Sequence, residues 1–187
     1  MTRNMRLLLM IIFPGILSVP VQAQTDMSAA GIETWETTTA GVFLSLTQIL
    51  PDQARAFYVN RGFPLGATEQ YATSCVFMAV LRNDSAAGVV RFRLEDWSVA
   101  VDGDERPLVS VYEWLNRLEA QGLDKASLVA FRWAQFPPEQ EYEPGGDWNQ
   151  GMLSVGLSPG SRFDLVARWS VGNNMFEGVL RNVECPD

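Results

Sequence analysis

Phe131-Arg-Trp-Ala-Gln-Phe-Pro-Pro-Glu-Gln-Glu-Tyr-Glu-Pro-Gly-Gly-Asp-Trp-Asn-Gln-Gly-Met152 is the stretch on which the reading of the fold turns. Val129, Phe131 and Trp133 alternate with Arg132 between them, a two-residue period that predicts a strand over residues 126–135. Pro137-Pro138 offers no N–H to a ladder and stops the pairing. The next residues carry Glu139, Glu141, Glu143 and Asp147 interleaved with Tyr142 and Trp148, and Gly145-Gly146 frees the backbone to return into a strand from Gly151. Residues 137–150 therefore read as a long acidic and aromatic loop between two strands. Such loops are where a rigid scaffold carries function.

Outward from that stretch, strands dominate. Ser74–Leu81 is nearly all apolar, as a strand buried on both faces is. Val90, Phe92 and Leu94 alternate with Arg91 and Arg93, Trp97–Val101 follows, and Asp102-Gly103-Asp104 ends that run with turn chemistry. Phe163, Leu165, Ala167 and Trp169 share one face of Arg162–Val171, and Gly172-Asn173-Asn174 turns the chain into Met175–Val183. Residues 41–50 fit a strand or a helix equally. Two helices are signalled: Pro51-Asp52 opens one that Gly62 stops, and Ser110 with Glu113 three residues later caps another that ends before Gly122. The fold class is mainly β: an immunoglobulin-like antiparallel β-sandwich with one or two inserted helices, occupying residues 41–187 as a single domain.

The N-terminus reads as a targeting segment. Arg3 and Arg6 precede an apolar run from Leu7 to Val19, and Val21-Gln22-Ala23 is a small-x-small cleavage site, so residues 1–23 are expected to be a signal peptide. Residues 24–40 then form a polar, flexible arm, and no further run is apolar enough to span a bilayer. A periplasmic or secreted protein is implied. Its two cysteines, Cys75 and Cys185, are expected to form one disulfide in that oxidising compartment. The general look resembles many small exported bacterial domains, a resemblance that assigns no activity.

Composition removes several chemistries. The formal net charge is −8, and loss of Arg3 and Arg6 with the signal takes it to −10, which disfavours nucleic acid and anionic lipid as partners. The chain has no His, which removes Ser-His and Cys-His nucleophiles and His-ligated zinc, copper or haem. Lys125 is the sole lysine, and no nucleophile-elbow or phosphate-loop motif occurs. A non-enzymatic module is expected, with no cofactor.

Glu139, Glu141, Tyr142, Glu143, Asp147 and Trp148 are the candidate binding residues, offering acidic and aromatic groups to another exported protein. Two other readings stand beside it. Tyr142 and Trp148 stacking on a glycan, with the glutamates hydrogen bonding or acting as a glycosidase pair, is one. Metal handling is the other, through calcium in the acidic loop or copper(I) on Met27, Met78, Met152 and Met175. Of the six tryptophans, Trp133 and Trp169 read as core, Trp114 as the cover of a sheet, and Trp35 as a residue without a core to enter.

Overall fold

The computed structural model describes residues 31–187. In chain order its elements are β1 (Thr34–Thr39), β2 (Val42–Gln48), α1 (Pro51–Val59), α2 (Leu65–Ala72), β3 (Val76–Asn83), β4 (Val90–Arg93), β5 (Ser98–Val101), β6 (Asp104–Pro107), α3 (Val111–Ala120), α4 (Lys125–Ala134), β7 (Glu139–Tyr142), β8 (Asp147–Ser154), β9 (Arg162–Val171) and β10 (Asn174–Glu184). The signal-peptide reading of residues 1–23 lies outside the described residues.

Two antiparallel sheets form a sandwich. The first runs β1-β2-β3-β8. The second is centred on β9, which pairs with β10 along one edge. Along the other edge β4 and β5 follow each other, opposite Trp169–Val171 and Asp164–Val166, with a 3-10 turn at Leu94–Asp96 between them. β7 lies outside β4 and β6 outside β5. The alternation seen in the sequence sorts the core: Leu44, Leu46, Phe77 and Leu81 from the first sheet meet Phe92, Val99, Leu165 and Trp169 from the second. The Cys75–Cys185 disulfide joins the start of β3 to the end of β10 and so ties one sheet to the other. Gly178 of β10 is a packing requirement, because a Cβ there would sit 2.5 Å from the Trp169 ring. The two sheets and the disulfide are as expected; strand order does not by itself make the sandwich immunoglobulin-like.

Among the described residues four α-helices, rather than one or two, make a third layer on the outer face of the first sheet. Tyr58 (α1), Tyr71 (α2), Trp114 (α3) and Phe131 (α4) pack there against Val76 and Met152. α3 starts where the sequence places it, with the Ser110 hydroxyl accepting from the Glu113 N–H at 3.1 Å. At α1 the expected Pro51-Asp52 cap lies inside the helix: Leu50 is the N-cap residue, and the Gln53 side chain accepts the Leu50 N–H at 3.0 Å.

Three further expectations are corrected. Residues 126–135 are not a strand: Asp124 caps a helix by accepting the Ser127 N–H at 2.8 Å, and Phe131 turns inward while Trp133 stands outside. Within the segment read as a flexible arm, Thr34–Thr39 is a paired edge strand, and Trp35 packs edge-on against Phe77 at 6.2 Å. Residues 137–150 are not a loop, since β7 and the first half of β8 occupy most of them. No helix among the described residues is long and apolar enough to cross a membrane.

Candidate functional site

The segment from Gln135 to Ser154 stitches the sandwich along one flank. Phe136 N–H donates to Met152 O at 2.9 Å, laying the chain against β8 so closely that a Cβ on Gly151 would meet the Gln135–Phe136 backbone. Pro137-Pro138 then carries it to the second sheet, where Pro138 O accepts from Leu94 N–H at 2.7 Å and β7 pairs with β4. A four-residue turn, Glu143 to Gly146, returns it to the first sheet as β8.

That turn is fixed by side chains. Asp147 accepts the Glu143 N–H at 3.1 Å and its neighbour's, Trp148 N–H, at 3.0 Å. Gly146 N–H donates to Asn83 O at 2.7 Å. The Asn83 amide is fully buried and fully used: its nitrogen donates to Tyr142 O (3.0 Å) and Gly88 O (3.1 Å), and its oxygen accepts the Ala86 N–H (3.1 Å).

The six candidate binding residues are thereby divided among four places. Glu139 and Glu141 lie on the outer face of the second sheet, opposite Arg93 and Arg91 of β4. The Arg91 guanidinium donates to both Glu141 oxygens, at 2.7 and 3.3 Å, and that bond raises the arginine pKa. Tyr142 points the other way, into the sandwich, where its ring stacks on Phe92 at 5.8 Å and is 1% exposed. Burial holds its hydroxyl above the ordinary tyrosine range, and the oxygen has no hydrogen-bond partner. Glu143 opens the turn and Asp147 follows it. Trp148 begins the outer face of the first sheet. Tyr142 and Trp148 are therefore no stacking pair, and the acidic and aromatic groups do not share one surface.

The outer face of the second sheet holds a broad open depression of about 1020 Å³, lined by Arg91, Arg93, Glu139, Glu141, Arg168 and Met175 among others. Its cations are all paired: Arg91 with Glu141, Arg93 with Asp96, and Arg168 with Glu105 and Glu177. Among the described residues no three acidic or cysteine side chains gather as a metal-ligand group. Met78 and Met152 are cross-strand partners, Met152 beneath the helices with its sulfur accepting from Tyr58 OH at 3.4 Å, whereas Met175 is exposed on the other sheet. Met27 lies outside the described residues.

What stands exposed is elsewhere. Trp133 on α4 is 84% exposed, and Val129 one turn earlier and Trp148 on β8 are each 50% exposed. The C-terminal end of α4 is held rigidly: Tyr71 OH donates to Gln135 Oε1 at 2.6 Å, and Gln135 Nε2 donates to Tyr58 OH at 2.7 Å. Trp148 and Met152, four apart in β8, share the face that the helices cover. Coverage stops short of Trp148. At that open end Arg82 lies between Trp148 and Phe43 on adjacent strands, with its guanidinium over the Phe43 ring at 4.7 Å. Trp133 as a surface residue escaped the sequence reading, yet Asp124 as an N-cap, followed by Ala126, Val129, Ala130 and Trp133 at helical spacing, is a signal that finds it.

Comparison with known proteins finds no matching family model, no matching curated protein and no matching solved structure.

Proposed function

We propose that this chain is an exported, non-catalytic binding module that docks on another protein through the tryptophan surface of α4 and the open end of β8. One observation carries the reading: Trp133 is left 84% exposed on a helix whose opposite side is locked into an aromatic core. Preorganised, exposed tryptophan is the residue type that dominates binding energy when a partner covers it. The absence of His, and Lys125 as the single lysine, support a binding rather than a catalytic role. Export is supported by Arg3, Arg6, the apolar run to Val19 and the Val21-Gln22-Ala23 cleavage pattern, together with the disulfide.

The test is site-specific photo-cross-linking in the native host. A cross-linker replacing Trp148 or Val129 should give discrete adducts with a second protein, while one replacing Glu177 on the far sheet should not. Equal labelling from all three positions would end the proposal.

A further inference from the structure

Resting on that reading, we propose that α4 is the docking element, and that it seats as a helix in an apolar groove whose rim is acidic, on an exported partner protein. The exposed side of α4 is an apolar stripe. Ala126, Val129, Ala130 and Trp133 fall at i, i+3, i+4 and i+7, all classed as exposed. That is the anchor spacing by which one helix lies in a hydrophobic groove. Its opposite side carries Phe131, 1% exposed, so α4 is apolar on both faces and only one of them is used within the chain.

The charges on α4 decide what the groove must look like. Lys125 and Arg132 are seven residues apart and stand along one border of the stripe, both exposed. The helix contains no acidic residue. Among the described residues neither cation takes part in an ion pair, as is also true of Arg61 and Arg106, whereas Arg55, Arg82, Arg91, Arg93, Arg117, Arg162, Arg168 and Arg181 all do. Lys125 and Arg132 are the two that border an exposed apolar stripe. In a chain of net charge −8 this is a local reversal of sign beside an exposed tryptophan. An acidic rim meets these two cations. It is repelled by the rest of the surface, so charge sets the register in which α4 enters. A second copy is a poorer occupant, because a two-fold pairing of stripes brings the same cations together. A membrane surface is disfavoured by the net negative charge.

The experiment uses the full chain expressed in its host. One photo-cross-linker replaces Val129 and another replaces Trp148, and each is read by the mass of the adduct and the sequence of the linked peptide. Trp133→Ala and Lys125→Glu/Arg132→Glu are then introduced beside the Val129 probe. The expected result is an adduct from Val129 to an apolar partner peptide flanked by Asp or Glu. Its yield should fall about ten-fold or more with either variant, with melting midpoints unchanged because all three side chains are exposed.

Adducts from the Trp148 probe alone would overturn α4 as the docking element while leaving the binding-module reading in place. No adduct from either probe would remove both. Loss with Trp133→Ala but not with charge reversal would overturn the acidic rim. A homodimeric adduct would assign the stripe to a second copy. Flotation of the chain with phosphatidylglycerol–phosphatidylethanolamine vesicles, abolished by Trp133→Ala, would assign it to lipid. Either of these last two results overturns the proposal.

Discussion

The molecule has two hydrophobic cores that share the first sheet as a common wall, and they are built on different rules. Between the sheets, Val, Leu, Phe and Trp from alternating positions interdigitate and a disulfide closes one end. Between the first sheet and the helices, aromatic rings dominate. Tyr58 meets Tyr71 edge-on at 5.5 Å and Phe131 at 5.5 Å, and Tyr71 meets Trp114 at 5.1 Å. Polarity separates them as well. The helix-side core carries a connected chain of hydrogen bonds through Gln135 and leaves the Trp114 indole N–H without a partner, while the sandwich core leaves two such groups, Tyr142 OH and the Trp169 indole N–H. The sandwich holds shape. The helix layer adds a side chain, Trp133, that the fold itself does not use.

Changes directed at one core and then the other sharpen the contrast. The largest effect is expected from Cys75→Ala/Cys185→Ala. Opening a closure of 110 residues should lower stability by about 4–5 kcal/mol, read as a drop in the urea midpoint that reductant reproduces on the native chain. Phe131→Ala should remove about 3–5 kcal/mol from the helix-side core, a fall in melting midpoint of order 10 °C. Trp133→Ala, two residues away on the same helix, should leave that midpoint where it was. If the two variants melt alike, the division of α4 into a buried and a presented face is wrong.

A smaller effect reads the helix-side core by pH, with Tyr142 of the sandwich core adding a contribution of the same sign. Burial raises the pKa of Tyr58 and Tyr71 above the ordinary tyrosine range, and the Tyr58–Tyr71 coupling adds to it for Tyr71. The unfolded chain releases these protons near pH 10 while the folded chain keeps them. Their contribution is therefore complete below about pH 10 and declines as pH rises beyond it. Urea midpoints measured from pH 8 to 11 should fall at the alkaline end, and Tyr58→Phe/Tyr71→Phe should flatten that fall; an unchanged slope would reassign it to other groups. Smallest of all, Glu141→Gln breaks a solvent-exposed pair with Arg91 and should leave the melting midpoint unmoved.

Most of the sandwich is legible in the sequence because its strands keep one face apolar. β4 and β9 alternate, and β3 is a continuous apolar run, so period and composition identify them. The elements that escape lack that signal for physical reasons. Glu139, Gln140 and Glu141 form an edge strand whose first three residues are all exposed, so nothing alternates. β1 reads Thr-Trp-Glu-Thr-Thr-Thr, polar enough to pass for an arm, although β-branched threonine suits an edge strand. α4 misleads most. Val129, Phe131 and Trp133 satisfy a two-residue period in sequence, but in the helix Phe131 turns inward and the other two turn out. The candidate site shows the same limit. Residue type marks Glu139, Glu141, Glu143 and Asp147 correctly as exposed, while Tyr142 is buried because its strand partner Val90 belongs to the core.

The position of β9 at the centre of the second sheet has a consequence in time. β4, β5, β6 and β7 are complete by Tyr142, yet β4 and β5 have no central partner until Arg162–Val171 has been made. A chain delivered N-terminus first therefore presents these strands with an open edge for the interval in which some thirty further residues arrive. Sequence-distant pairing of this kind slows folding and leaves edges available to wrong partners. The first sheet meets the same delay, since β8 joins β3 only after α3, α4 and β7 have passed. Completion of both sheets therefore waits for the C-terminal third of the chain, and the short charged edge strands β6 and β7 cover the outer edges of β5 and β4 in the meantime.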